Sequence, residues 1–145
     1  MLYVKKSKLP KAGKGLWIDT DLKKGEVVCE YEGEILTWKE CLKRNESQNG
    51  FGAYYFYVTA KNCVDAQYTE WSIGRYANDA TGFGRKAGLR NNSKYEVRKG
   101  KPFIVATRNI KAGDEILVGY GKEYWDAIKE HFVQKTVKAK TADLR

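Results

Sequence analysis

Residues 110–121 read Ile-Lys-Ala-Gly-Asp-Glu-Ile-Leu-Val-Gly-Tyr-Gly, a glycine turn followed by an apolar run that ends at Tyr120. This pattern predicts a turn at residues 111–114 and a strand over residues 115–120. Residues 22–31 repeat the same order, with a turn, a glutamate and then Tyr31 five residues later. The echo predicts two tyrosines at equivalent strand ends, which two packed sheets could bring together.

The segments around these two stretches are also short and mostly strand-like. Thr37-Trp-Lys-Glu40 fits a capping box and predicts a helix that runs to about Asn45. Residues 81–93 are rich in Gly and Asn and predict an irregular loop, whereas the apolar spacing at 125, 128 and 132 predicts a helix over 122–134. Further strands are predicted over residues 15–18, 26–31, 54–59, 63–65 and 102–107.

Length and charge set bounds without choosing a function. The chain has 145 residues, which fits one domain with its own core. Lys and Arg number 27 against 18 acidic residues, a formal charge of +9. This balance is typical of a solvated basic surface or of contact with nucleic acid or a nucleosome. The basic residues are scattered along the sequence outside the tail over 135–140, so no binding groove is defined.

Several classes of protein are disfavoured by the cysteines, the histidine and the first residues of the sequence. Three cysteines without C-x-x-C spacing indicate free thiols in a reducing compartment. A single histidine, His131, leaves too few ligands for a Cys/His zinc site. The first residues contain no signal-peptide apolar region, and no apolar run approaches the ~20 residues of a membrane span. We therefore expect an intracellular protein without membrane contact.

Common catalytic motifs are missing from the sequence. It contains no G-x-S-x-G, H-E-x-x-H, Walker or G-x-G-x-x-G motif, and one histidine in a predicted helix disfavours a histidine-based hydrolase. A reaction that needs neither a general-acid histidine nor a metal fits better. Methyl transfer from a sulfonium is such a reaction, because the donor carries its own leaving group and the protein mainly aligns the reactants.

Six segments in order resemble the motifs of the SET domain family of protein lysine methyltransferases. Ala12-Gly-Lys-Gly-Leu-Trp17 resembles the family's G-x-G segment, and Glu30-Tyr-Glu-Gly-Glu34 its Y-x-G-E. Arg75-Tyr-Ala-Asn-Asp-Ala80 is similar to R-F-x-N-H-S. Asp114-Glu-Ile-Leu-Val-Gly-Tyr-Gly121 is similar to the closing G-E-E-L-x-x-D-Y-G. Between them, residues 54–58 and 63–66 resemble the Y-x-F strand and the I-D-A element, so the resemblance covers about residues 8–126.

The resemblance implies a mainly β fold of the β-clip type. Several small sheets and short helices would be joined by a threaded, pseudoknot-like C-terminal segment, in a domain over residues 1–134 with a basic tail over 135–145. It implies an S-adenosylmethionine-dependent protein-lysine N-methyltransferase that releases S-adenosylhomocysteine and uses no metal. The implied substrate is a lysine in a histone tail or a similar basic segment. The implied location is the nucleus in a eukaryotic or viral setting, and otherwise the cytoplasm.

The resemblance also implies roles for individual residues. The Tyr120 hydroxyl would lie near the transferring methyl, and Tyr31 would wall the channel for the target lysine. Asn78 would hold the cofactor through its side chain, and Asp79 mainly through its backbone. Trp125 would cover the adenine or serve as the core anchor of its helix, while core packing is expected for Tyr55 and Tyr57. The full set of implied cofactor-binding residues is Ala12, Gly13, Lys14, Gly15, Trp17, Tyr54, Arg75, Asn78, Asp79 and Trp125.

Three positions depart from the family pattern. Asp79 stands where the family usually has histidine, and Val118 stands where many members have the Phe or Tyr that tunes the degree of methylation. No cysteine cluster follows Gly121, so the helix from Lys122 would have to close the site, as in small or PR-type members.

Two other function classes remain open from the sequence. The first is a SET-like or PR-like module with little catalysis that docks on chromatin or protein. Asp79 favours it, whereas the presence of Tyr31, Asn78 and Tyr120 disfavours it. The second is a small nucleic-acid-binding protein, or a weak nucleic-acid contact, which only the charge supports.

Overall fold

The computed structural model describes residues 1–47, 55–81 and 86–120 of the chain. Ten strands in these ranges form three small sheets, accompanied by one α-helix and one 3-10 helix. The helices are α1 (Trp38–Ser47) and the 3-10 helix (Ile73–Tyr76). The strands are β1 (Leu2–Lys6), β2 (Lys14–Ile18), β3 (Val27–Glu30), β4 (Glu34–Leu36), β5 (Tyr55–Thr59), β6 (Asn62–Asp65), β7 (Ser93–Arg98), β8 (Lys101–Ala106), β9 (Glu115–Ile116) and β10 (Val118–Gly119). The predicted mainly β class is confirmed.

The first sheet joins the two ends of the described chain, in the order β1-β2-β9. β1 and β2 form an antiparallel hairpin, with Leu2 opposite Ile18. β9 then pairs antiparallel with the other edge of β2, placing Ile116 opposite Leu16. The sequence predicted β2 but not β1.

The second sheet has the order β10-β7-β8-β3. β7 and β8 form a hairpin whose turn holds Lys99 and Gly100 at φ 50° and 77°. β3 pairs antiparallel with β8, whereas β10 runs parallel to β7. The predicted strands at 26–31 and 102–107 are confirmed as β3 and β8. β7 was missed, although Tyr95 and Val97 alternate with charged residues as a half-buried strand requires.

The third sheet has the order β4-β6-β5, and α1 contacts its strands β5 and β6. The capping box forms as predicted, since the Glu40 amide donates to Thr37 Oγ1 over 3.1 Å and the Thr37 amide donates to Glu40 Oε1 over 3.3 Å. The expectation that Tyr57 is a core residue is wrong. Its side chain is 52% exposed and its ring meets Trp38 edge-on, because Phe56 on the opposite face points towards the core.

The segment over residues 115–120 is not the single predicted strand. It divides at Leu117 into β9 and β10, which belong to different sheets. The division occurs because both backbone groups of Leu117 bond to other partners: its amide donates to Asn92 Oδ1, and its carbonyl accepts from the amides of Asn92 and Ser93. Leu117 also forms a parallel bridge with Asn78. This is the part of the predicted threaded segment that the structure describes.

The echo between residues 22–31 and 110–120 has a structural counterpart. Leu22 and Ile110, which hold equivalent positions in the two stretches, form an antiparallel bridge with two backbone hydrogen bonds of 2.8 Å. The two turns therefore lie side by side, and their strands continue into the first and second sheets. The main core fills the space between these sheets and includes Leu16, Ile18, Ile104, Ile110, Ile116 and Val118.

Several expectations concern parts of the chain outside the described residues. They are Tyr54, Trp125, the helix over 122–134 with His131, and the basic tail over 135–145. The limits of the domain, residues 1–134, stay a prediction.

Candidate active site

Asn78 connects the start of β2 to the segment that leads to Tyr120. Its side-chain Nδ2 donates a hydrogen bond to the carbonyl oxygen of Lys14 over 3.0 Å. Its own carbonyl oxygen accepts from the amide of Val118 over 2.8 Å. Three segments that the sequence singled out separately, Ala12–Trp17, Arg75–Ala80 and Asp114–Tyr120, therefore meet around one asparagine.

Tyr120 is anchored to the same loop at its far end. Its hydroxyl donates to the carbonyl oxygen of Ala77 over 2.6 Å, and its ring packs against the main core. Ala77 is buried and immediately precedes Asn78. The phenol oxygen is thus held at a fixed point beside the Asn78 loop.

Asp79 uses its side chain inside the protein. The carboxylate is 6% exposed, and Oδ1 accepts from the Thr81 amide, the Thr81 hydroxyl and the Asn91 side-chain amide over 2.8, 2.6 and 2.9 Å. Oδ2 accepts from the Tyr120 amide over 2.8 Å. A buried carboxylate with four donors fastens the Asn78 loop to Tyr120. Asp79, which stands where the family pattern has histidine, therefore has a structural role in this protein.

Two asparagines that the sequence analysis did not single out complete this arrangement. Asn91 Oδ1 accepts from the Ala80 amide over 2.8 Å, in addition to its bond to Asp79. Asn92 donates to the Glu115 carbonyl over 2.8 Å and accepts from the Leu117 amide over 3.0 Å. Side-chain amides suit this task because each carries both donors and an acceptor for irregular backbone. The signal available in the sequence was the adjacent Asn pair.

Tyr31 and Tyr120 belong to one group of four neighbouring aromatic rings. Tyr31 is 5% exposed, and its ring lies 5.9 Å from Phe56 and 5.8 Å from Tyr95, measured between centroids. Tyr95 stacks on Tyr120 at 6.2 Å with 25° between the ring planes. We call Tyr31, Phe56, Tyr95 and Tyr120 the aromatic row. The two tyrosines of the sequence echo are thus joined through Tyr95, which the sequence analysis missed.

The two glycines of the G-x-G segment have different surroundings. Gly13 has φ 70°, and a Cβ there would meet nothing within 4 Å, so open space lies beside this turn. Gly15 is buried, and a Cβ there would overlap the carboxylate of Glu115. That carboxylate accepts from the Ser7 hydroxyl over 2.5 Å and from the Lys8 amide over 2.9 Å. Packing therefore accounts for Gly15, whereas Gly13 lies in an exposed turn at positive φ.

The remaining predicted site residues, Trp17, Arg75 and Ala12, have different surroundings. Trp17 is 2% exposed, with the Lys5 ammonium 4.0 Å from the centroid of its ring. Leu16 packs in the core cluster that Tyr120 adjoins, so strand alternation directs Trp17 to the opposite face of β2. Arg75 lies in the 3-10 helix with its guanidinium over the Tyr76 ring, and Ala12 packs beside Leu9 in a small second cluster.

The three cysteines are free thiols, and their environment makes them poor nucleophiles. Burial raises the pKa of the Cys29 thiol to about 12, and the negative charge of Glu32 adds to the effect. Burial likewise raises the pKa of the Cys41 thiol to about 11. Since the thiolate is the reactive form, these side chains are protonated near neutral pH.

The described residues contain no group of three or more His, Cys, Asp or Glu side chains that could hold a metal ion. Over the same ranges, no helix is long and apolar enough to cross a membrane.

Comparisons with known proteins agree with this geometry. The family model for the SET domain matches residues 13–121, which include the Gly13 turn, the Asn78 loop and Tyr120. The chain belongs to the SET domain family.

Curated relatives carry methyltransferase names. The N-lysine methyltransferase KMT5A-A of Danio rerio is 32% identical over 127 residues, covering 82% of this chain and 35% of that protein. The histone-lysine N-methyltransferase Su(var)3-9 of Drosophila melanogaster is 30% identical, covering 75% of this chain and 18% of that protein. This chain thus spans about a third, or less, of the length of these relatives.

Two solved structures of similar fold bear the names ctPRC2 and polycomb repressive complex 2. A chain of the apo ctPRC2 complex with mutations in Ezh2 superposes with a TM-score of 0.67 and 26% identity, covering 90% of this chain and 16% of that chain. A chain of an active polycomb repressive complex 2 in the basal state gives a TM-score of 0.64 at 26% identity, covering 84% of this chain and 15% of that chain.

Proposed function

We propose that this protein transfers a methyl group from S-adenosylmethionine to the ε-amine of a lysine in a protein. The observation that carries the proposal is the position of Asn78, bonded to Lys14 on one side and to the strand before Tyr120 on the other. In the proposal, the G-x-G turn and Asn78 hold the donor and Tyr120 faces the reacting atoms. The names of the relatives support the same activity.

The residues at this place fit such a donor. S-adenosylmethionine supplies a methyl on a positively charged sulfur and departs as neutral S-adenosylhomocysteine. The open space beside Gly13 admits a ligand against the backbone, and the carbonyl oxygens of Lys14 and Ala77 place negative partial charge nearby. Asn78 and the Asp79 backbone would contribute hydrogen bonds, and Arg75, Tyr54 and Trp125 would contribute the remaining predicted contacts. A reaction with this leaving group requires no metal.

Tyr120 would align the transfer. Its hydroxyl hydrogen points to Ala77, so the direction of the phenol oxygen is fixed before the substrate arrives. C–H···O contacts to that oxygen are individually weak, but they fix the line from sulfur through methyl to nitrogen. Tyr31, buried in the aromatic row, would form a wall of the lysine channel.

The target lysine has to lose its proton before it attacks. A channel lined by aromatic rings removes water from the ammonium, and this desolvation favours the neutral amine. The positive charge of the donor acts in the same direction. We therefore assign no carboxylate as a general base, and the proton would leave to solvent.

The proposed substrate is a histone tail or a similar basic segment, and the proposed setting is the nucleus in a eukaryotic or viral context and otherwise the cytoplasm. A weak contact with nucleic acid belongs to the same proposal. Lys8, Arg90 and Arg108 line one cleft, although Asp114 and Glu115 line it as well. Filter binding with a salt titration tests this contact, because affinity carried by phosphate contacts falls steeply as salt rises.

The decisive experiment is transfer of labelled methyl from S-adenosylmethionine to a panel of histones and lysine-containing peptides. We expect label on lysine that depends on Tyr120 and persists after exhaustive chelation. Calorimetry on the chelated protein should detect binding of the donor. Donor or peptide binding without transfer would favour the docking module. No binding of the donor in the untreated protein would contradict the proposal.

A further inference from the structure

A polar cleft lies where the ends of four strands meet. Lys8 follows β1, Arg90 precedes β7, and Arg108 follows β8. Asp114 and Glu115, at the start of β9, also line it. The cleft has a volume of about 130 Å³, several times the space that one water molecule occupies. None of its lining residues belongs to the predicted cofactor-binding set.

Hydrogen bonds between the strand ends hold the inner wall of the cleft in place. The Lys8 amide donates to Glu115 Oε1 over 2.9 Å, and Asn92 Nδ2 donates to the Glu115 carbonyl oxygen over 2.8 Å. The amide of Thr107, which precedes Arg108, donates to the Asn92 carbonyl oxygen over 2.9 Å. Asn92 and Glu115 are both buried, so this wall is fixed by the fold.

Three basic side chains, Lys8, Arg90 and Arg108, line the cleft. Within the residues that the structure describes, none of the three forms an ion pair. The Lys8 ammonium lies 5.5 Å from the centroid of the Trp17 ring. All three residues are exposed, so their charged groups keep their hydrogen-bonding capacity for a ligand in the cleft.

The two carboxylates of the cleft are already engaged by the protein. Asp114 Oδ2 accepts from the Lys111 amide over 3.0 Å. Both oxygens of Glu115 accept hydrogen bonds, one from the Ser7 hydroxyl and one from the Lys8 amide. The basic groups of the lining outnumber the acidic ones, and its free donors lie on the basic side chains. An anion therefore fits this cleft better than a cation does.

We propose that this cleft binds a phosphate group, carried either by a nucleic-acid backbone or by a free phosphate compound. Phosphate offers several strong acceptor oxygens. A guanidinium can donate two parallel hydrogen bonds to it, and an ammonium adds a compact positive charge. Arg90, Arg108 and Lys8 supply these groups around one space. The inference rests on the proposed function only in its nucleic-acid contact, which it assigns to named residues. Phosphate binding itself does not require methyl transfer.

The test compares the parent chain with two double variants that each remove two positive charges. The cleft variant combines Arg90→Gln with Arg108→Gln. The hairpin control combines Arg98→Gln with Lys101→Gln, because Arg98 and Lys101 stand opposite each other at the far end of the β7–β8 hairpin. A third variant, Asp114→Asn, removes a negative charge from the cleft and keeps an oxygen that can accept from the Lys111 amide.

Two measurements distinguish the sources of the phosphate. The first titrates inorganic phosphate at constant ionic strength and follows the amide resonances of Asn92 and Glu115 by NMR. The second measures binding of a short DNA duplex by filter binding over a series of salt concentrations. Melting curves establish that each variant folds. Calorimetry with S-adenosylmethionine, in the presence and absence of phosphate, establishes whether the two compete.

We expect saturable phosphate shifts in the parent and in the hairpin control, tighter phosphate binding in Asp114→Asn, and no saturable shift in the cleft variant. If nucleic acid carries the phosphate, the cleft variant should reduce the slope of log affinity against log salt by about two, one for each lost contact, and the hairpin control should keep the parent slope. An unchanged slope together with the expected phosphate shifts would assign the cleft to a free phosphate compound.

Three results would overturn the inference. They are no saturable shift in the parent with either phosphate or the duplex, equal losses of binding in the two double variants, and competition between phosphate and S-adenosylmethionine. A parent that binds phosphate as expected but transfers no methyl would contradict the proposed function and leave the phosphate site standing.

Discussion

Tyr120 and Ala77 lie 43 residues apart in sequence, and the tyrosine hydroxyl donates to the alanine carbonyl over 2.6 Å. This bond gives the hydroxyl a structural role beside its proposed catalytic one. Tyr120→Phe should remove most turnover and cost about 1 kcal/mol of folding free energy, with little change in cofactor affinity. Single-turnover kinetics, calorimetry and urea melts measure the three quantities. A near-normal rate would return Tyr120 to the role of a core residue.

Tyr31→Phe, in contrast, should alter product distribution before it abolishes transfer.

Asn78 and Asp79 are adjacent, but their substitution by alanine should have different effects: one mainly on cofactor binding, the other mainly on stability. Asn78→Ala removes the bond to the backbone carbonyl of Lys14 and also the proposed side-chain bond to the cofactor. Because the second bond goes to a charged group, its loss should weaken cofactor binding by about 1.5–3 kcal/mol. Asp79→Ala leaves the Tyr120 amide and the Thr81 donors without their acceptor. It should cost at least about 2 kcal/mol of stability and weaken binding less. Calorimetry at a temperature where both variants are folded separates the effects, and a larger binding loss for Asp79→Ala would contradict the assignment.

Gly13 and Gly15 make a matched pair for alanine substitution. Gly13→Ala should cost about 1 kcal/mol, because the residue sits at positive φ in open space. Gly15→Ala should cost about 3 kcal/mol, since its Cβ would overlap the Glu115 carboxylate. Adding Glu115→Asp to Gly15→Ala shortens the overlapping side chain and should recover part of the lost stability. The double variant should therefore be more stable than the sum of the two single losses predicts. Additive losses would show that the overlap is relieved by another route.

Arg44 bonds two carboxylates with unequal consequences. Asp65 is fully buried, and its carboxylate accepts a hydrogen bond from Arg44 Nη1 over 2.8 Å. Glu34, the other partner of Arg44, is more than a third exposed. Arg44→Met should therefore cost about 3 kcal/mol, because it strands a buried charge. Glu34→Gln should cost less than about 1 kcal/mol, as is usual for an exposed pair. Denaturant melts of the two variants and the parent measure the difference, and equal losses would contradict it.

The ion pair between Arg44 and Glu34 should also make the stability of the protein depend on pH. The hydrogen bond from Arg44 lowers the pKa of Glu34, so the folded protein holds this carboxylate ionised more strongly than the unfolded chain does. The stabilisation is complete above the ordinary glutamate pKa and is lost as pH falls through the lowered one. Melts between about pH 7 and pH 3 should show this loss in the parent and not in Glu34→Gln, measured as the difference between the two curves.

Local signals in the sequence predicted much of the fold. The capped helix and the strands β2, β3 and β8 follow from a capping box and from apolar runs, which act over a few residues. The meeting of the Gly13, Asn78 and Tyr120 segments followed from motif order and resemblance. The split at Leu117 could not be predicted, because Asn92 causes it from 25 residues away.

The side chains around the candidate site were harder to predict for the same reason. The sequence showed Asp79 only as a departure from the family pattern. Its structural role depends on four hydrogen-bond donors that come together only in the folded chain. Tyr95 carried no motif, and its importance comes from the register of two parallel strands. Tyr57 was misassigned because strand alternation alone does not say which face is covered.

The sheet that joins β9 to β2 also constrains how the protein folds. Ser7 and Glu115 bond across 108 residues, so the first sheet stays incomplete until the chain has closed a very long loop. Such non-local pairing slows folding and makes docking of the segment over 115–120 a late step. In the native protein, Ile116 and Val118 of this segment are fully buried in the main core, so the segment cannot leave without opening that core. Warming should therefore abolish activity and global structure together, and the amides of Leu117 and Val118 should exchange with solvent about as slowly as those of β8.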